Sequence, residues 1–69
     1  MQDDATITHE VKSLILYNLL LNTKTTTSHG VVTLTGRAGS MAEKTLNTRL
    51  ATEVTGVISV VNNMVVSSP

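Results

Sequence analysis

Residues His29 to Ser40 read His-Gly-Val-Val-Thr-Leu-Thr-Gly-Arg-Ala-Gly-Ser and hold three of the chain's four glycines. No other stretch narrows the fold as far. His29-Gly30 has the form of a two-residue hairpin turn in which glycine supplies the positive φ. Val31 to Thr35 then alternates as a strand, with Val32 and Leu34 on one face and Thr33 and Thr35 on the other. A tight hairpin sets Thr27 of the preceding segment opposite Val32, and Thr25 opposite Leu34. That segment, Lys24 to Ser28, is threonine-rich, which suits an edge strand. Gly36 to Gly39 turns the chain out of the sheet. Ser40 starts a helix with Glu43 three residues on, a capping-box spacing.

The flanking segments follow from this joint. Asp3, Asp4 and Thr6 offer N-cap oxygens, and Ile7, Val11, Leu14 and Ile15 recur at helical spacing, predicting a first helix over 5–21. In the second helix Ala42, Leu46, Leu50 and Val54 make the expected buried stripe, with Ala51 beside it. Glu43, Lys44, Arg49 and Glu53 are expected in water, and Gly56 is expected at the C′ position. Val57 to Val66 reads as a third strand. One face carries Ile58, Val60, Asn62, Met64 and Val66, and the other, nearly as apolar, carries Val57, Ser59, Val61, Asn63 and Val65. Periodicity leaves open which of them is inward. The reading is an α+β domain, helix-strand-strand-helix-strand, with two helices on one face of a three-stranded mixed sheet. The second helix is a right-handed crossover that makes the third strand parallel to the second. The domain is expected over 4–67, with flexible ends at 1–3 and 68–69.

Sixty-nine residues make one small domain whose core must be aliphatic, because there is no Phe or Trp and one Tyr. Five basic residues balance five acidic ones. A neutral domain lacks the electrostatic footprint of a nucleic-acid binder. Without cysteine there is no disulfide framework or thiolate metal site. The apolar runs are too short to span a bilayer, and the acidic start is unlike a signal peptide.

No catalytic constellation is visible, and no enzyme activity or cofactor is expected. His9 and His29 stand far apart without a cysteine or acidic cluster beside them, so no metal is expected. No serine sits in a nucleophile elbow. Gly36-Arg37-Ala38-Gly39 has the spacing of the loop that clamps a nucleic-acid backbone between two helices, but here it joins a strand to a helix and reads as a bend feeding a cap. Arg37, Lys44 and the free amides around Ser40 are a candidate contact for a phosphate or lipid head group. The main candidate is the second half of the first helix. Leu16, Tyr17 and Leu20 cannot share the stripe of Ile7, Val11 and Leu14. They form either an exposed patch that meets lipid or another domain, or a helix end buried under the third strand. Asn62 is expected to bond a neighbouring backbone group, with Asn47 as a partner.

Taken together, Ile7 and Val11, the Gly30-Val31-Val32-Thr33-Leu34-Thr35-Gly36 string, Glu43 with Leu50-Ala51 and Val54, and Gly56-Val57 leading to Val60 and Asn62 resemble the BON domain. The match runs over roughly the whole chain. It departs at Thr25, Thr26 and Thr27, where the family carries Val or Ile, and at Asn47, where it favours Ala. The resemblance implies a non-enzymatic module of periplasmic or envelope proteins, linked to osmotic or envelope stress, that binds phospholipid surfaces or neighbouring proteins. Tandem copies or weak homo-oligomers fit the same picture, as does a purely structural or oligomerisation role. Leu16, Tyr17, Leu20, Arg37 and Lys44 are the expected contacts, and Gly30, Gly36, Gly39 and Gly56 the expected structural glycines.

Overall fold

The computed structural model describes residues 3–19 and 23–66. In chain order these form α1 (Asp4–Leu19), β1 (Lys24–Ser28), β2 (Val31–Thr35), β3 (Arg37–Ala38), α2 (Met41–Thr52), β4 (Ser59–Asn62) and β5 (Val65–Val66). The main sheet has the order β1-β2-β4, with β1 antiparallel and β4 parallel to the central strand. Both helices pack on one face of it and touch each other. Ile7, Val11 and Ile15 of α1 meet Val32 and Leu34 of β2, with Ala38, Ala51 and Met64 completing an aliphatic core.

The hairpin forms as its sequence demands. His29 has φ 52° and Gly30 φ 80°, so both turn residues are left-handed, as a type I′ turn needs. The register pairs Thr27 with Val32 and Thr25 with Leu34. Only glycine suits position 30 sterically as well: a Cβ there would lie 2.9 Å from the Ile58 side chain and 3.1 Å from the Gly56 carbonyl oxygen. Gly39 differs, since a Cβ would crowd only the Glu43 carboxylate, the far end of a flexible side chain.

Helix α1 is tied to that turn. The Asp4 carboxylate accepts from His29 N (2.9 Å) and Gly30 N (3.1 Å), the two amides that the turn leaves pointing outward. Asp3 is the N-cap, accepting from Thr6 N at 2.8 Å. The Thr6 backbone amide, and then its hydroxyl, hold the Asp3 carboxyl below its usual pKa. Four residues along the helix, Thr8 Oγ1 donates to Thr27 Oγ1 at 2.6 Å. The helix therefore runs back along β1, away from the turn.

The expected third strand is two strands. Asn63 N donates to Leu34 O and Val65 N to Gly36 O, as a parallel ladder requires, and Ile58 N donates to Gly30 O at the strand's start. The register is the same on both sides of the gap, with Leu34 opposite Asn62 and Arg37 opposite Val65, so no residue is inserted between β4 and β5. Alongside this junction β2 bends at Gly36, φ 132°, and continues as β3, which pairs in parallel with β5. Gly36 to Gly39 is therefore a second short ladder as well as a turn. The Asn62 side chain braces the junction of β4 and β5. Its Oδ1 accepts from Met64 N (2.9 Å), and its Nδ2 donates to Lys44 O and Thr48 Oγ1 (2.8 Å each). Asn47 is not its partner: Asn47 Nδ2 donates to Glu43 O, one turn back in its own helix. The face that periodicity left open is settled, with Val60, Asn62, Met64 and Val66 turned toward the helices. Ile58 does not join them and is 77% exposed.

Helix α2 is rotated from its expected stripe. Asn47 and Ala51 are fully buried, Leu50 and Val54 flank them, and Ala42 and Leu46 face out. Glu43 and Lys44, expected in water, are half-buried. Packing on β4 selects the side from which Lys44 and Thr48 reach Asn62, and that sets the rotation. Ser40 caps the helix by accepting from Glu43 N (3.2 Å), while the Glu43 carboxylate reaches back to Gly39 N (2.6 Å) rather than to the cap residue. The helix ends at Thr52 with Glu53 as C-cap. Gly56 is consequently not C′; it lies in a further turn closed by Val57 N donating to Val54 O.

Two substitutions probe these features. The hydroxyls of Thr23 and Thr25 are buried without a partner. Thr25→Val removes an unsatisfied hydroxyl at nearly constant shape and is expected to raise the unfolding free energy by about 1–2 kcal/mol in urea titration. Asn62→Ala removes three hydrogen bonds where β4 meets β5 and is expected to lower it by about 2–4 kcal/mol in the same measurement.

Candidate functional site

An α-helix advances 100° per residue, so a helix that buries Ile7, Val11 and Ile15 must turn the residues after Ile15 outward. Leu16 is 50% exposed and Tyr17 86% exposed. For these two the alternative of burial under the third strand is ruled out; Leu20 lies outside the described residues. Tyr17 also borders an open groove of about 470 Å³ with His9, Glu10, Ser13 and Leu14. The outer surface of α1 thus carries an aromatic ring and an aliphatic side chain next to polar groups, with Lys12 exposed on the same helix.

The basic candidates stand at the same end of the domain. Asp4 fixes the start of α1 at the hairpin turn, so Leu16 and Tyr17 lie toward the opposite end, where β2 finishes and β3 and α2 begin. Arg37, in β3, is exposed, and Lys44, in the first turn of α2, is half-buried. Two of the amides between them are already engaged. Gly39 N is taken by the Glu43 carboxylate and Glu43 N by Ser40, so a carboxylate already occupies the helix start and opposes a second anion there. What remains is long-range attraction by two cations.

At the hairpin end the fold brings together residues that are distant in sequence. Asp3, Asp4 and His29 border a cleft of about 430 Å³ whose apolar walls are Ile7 and Ile58. No pattern in the chain signals this gathering, because the Asp4–turn contact spans 25 residues. Its chemistry is structural: the Asp4 oxygens are committed to the turn amides and Asp3 to the helix cap. Among the described residues no three His, Cys, Asp or Glu side chains are grouped to hold a metal.

Among the described residues no helix is long and apolar enough to cross a membrane. No curated protein matches the chain. The family model for the BON domain matches residues 3–68, nearly the whole chain. BON domains are generally associated with membrane or phospholipid binding and with envelope proteins. With the two helices on a mixed sheet and the match from end to end, this chain belongs to the BON domain family.

Proposed function

We propose that this domain associates with anionic phospholipid on the periplasmic side of a bacterial envelope, serving osmotic or envelope stress, and that α1 is the contact. The observation that carries this reading is the exposure of Tyr17 and Leu16 on the outer surface of a helix whose inner stripe is fully buried. Tyrosine suits a membrane interface because its ring is apolar and its hydroxyl stays hydrated. The opposite face of the helix is occupied by the core, so the patch serves contact rather than folding.

Binding of this kind scales with apolar area buried plus attraction to anionic lipid. Arg37 and Lys44 each add about 1 kcal/mol near a negative surface. Glu43 sits beside them and the chain is neutral overall, so a single copy binds weakly. Tandem copies raise avidity through effective concentration.

Co-sedimentation with vesicles of phosphatidylcholine, with and without phosphatidylglycerol, tests the proposal. Binding is expected to rise with the anionic lipid and to fall with salt. Leu16→Ser and Tyr17→Ser are each expected to lower partitioning about tenfold, with the thermal midpoint unchanged because both side chains are exposed. Equal binding by the double variant, or no binding to either vesicle, overturns it.

A further inference from the structure

Helix α1 turns one line of residues straight away from the core. Seven residues advance a helix by roughly two full turns, so His9 stands in line with Leu16, with Ser13 beside them. All three are exposed. His9 also borders the groove that Tyr17 shares with Glu10, Ser13 and Leu14. A helix that lays Leu16 and Tyr17 on a surface therefore lays His9 on it as well.

The other charges near His9 balance. Lys12, exposed, and Glu10, half-buried, flank its line on opposite sides. At the helix start, Asp3 is held by Thr6 N and Asp4 by the hairpin amides. The elements packed against α1 are β1 and α2. Both meet its inner side, away from His9; the first carries Lys24, and the second Glu43, Lys44 and Arg49. Among the described residues no hydrogen bond or ion pair ties the His9 ring.

We propose that His9 makes the association of α1 with anionic phospholipid pH-dependent, because its protonated ring adds a positive charge within the contact. This inference rests on α1 being the lipid contact. Histidine changes its charge between about pH 8 and pH 5, where ordinary carboxylates and lysines keep theirs. With His9 neutral, Lys12 and Glu10 cancel, and the outer side of α1 holds on by its apolar groups. With His9 charged, that side is net positive. One more positive charge beside an anionic surface strengthens binding about fivefold. The added attraction is present at low pH and lost as pH rises. Binding takes up protons in return, because linkage between two equilibria is reciprocal.

Co-sedimentation of the full chain with phosphatidylcholine–phosphatidylglycerol vesicles at about pH 8 and about pH 5 tests this. Partitioning is expected to be about fivefold higher at the lower pH, with no such rise on phosphatidylcholine alone. His9→Gln is expected to hold the high-pH level throughout, and His9→Lys the low-pH level throughout. Both alter an exposed side chain, and circular dichroism melting shows that they fold. His29→Asn, which suits the left-handed turn position, is expected to keep the pH dependence. In weakly buffered solution at about pH 6.5, anionic vesicles are expected to raise the pH with the unaltered chain and not with His9→Gln. Equal partitioning at the two pH values, or a rise that survives in His9→Gln, overturns the proposal and leaves the α1 contact standing. No binding at either pH removes the α1 contact and this proposal with it.

Discussion

The side-chain amide of Asn62, where β4 passes into β5, is the constraint on which the rest of the arrangement depends. β2 bends there at Gly36, while its partner passes from β4 to β5 without a change of register. Asn62 ties the bend to the backbone of Met64 and to α2 through Lys44 and Thr48. Because the amide is only half-buried yet fully engaged, it adds bonds without leaving an orphaned group. Its position then fixes the rotation of α2, and that rotation explains why Asn47 and Ala51 are buried while Ala42 and Leu46 are not.

The other helix is set from the opposite end. Asp4 uses both carboxylate oxygens on the outward amides of the hairpin turn, and Thr8 meets Thr27 farther along. Those contacts fix which way α1 runs and which residues it turns outward. The exposed Leu16 and Tyr17 follow from them directly. A domain this small, with an aliphatic core, has few apolar side chains to spare. Leaving a tyrosine almost wholly in water is therefore informative in a way that a lone exposed Val is not.

Much of the fold was legible in the sequence. The hairpin, its register, the second cap at Ser40 and the order of the main elements all rest on local rules: positive φ at a turn, alternation along a strand, an oxygen at a helix start. The errors lie where non-local packing decides. The stripe of α2 was misplaced because Ala42 and Leu46 fit helical spacing as well as Asn47 and Ala51 do, and a buried asparagine carries no apolar signal. The third strand keeps one register, as its alternation predicts, and its interruption between β4 and β5 leaves no mark in an alternating run.

The site was legible in the same proportion. The surplus of apolar residues at the end of α1 is a property of the sequence, and it required either a partner or a deeper core. Only the tertiary structure decided between them, by placing Leu16 and Tyr17 in solvent and a carboxylate at the helix start beside Arg37 and Lys44. The sequence by itself determined the elements and their pairing, because propensity, turn chemistry and periodicity act within a few residues. Which faces meet, which polar groups find partners and which strand edge stays open belong to the tertiary structure. Those outcomes depend on contacts such as Asp4 to Gly30 and Asn62 to Lys44, between residues that no local rule connects.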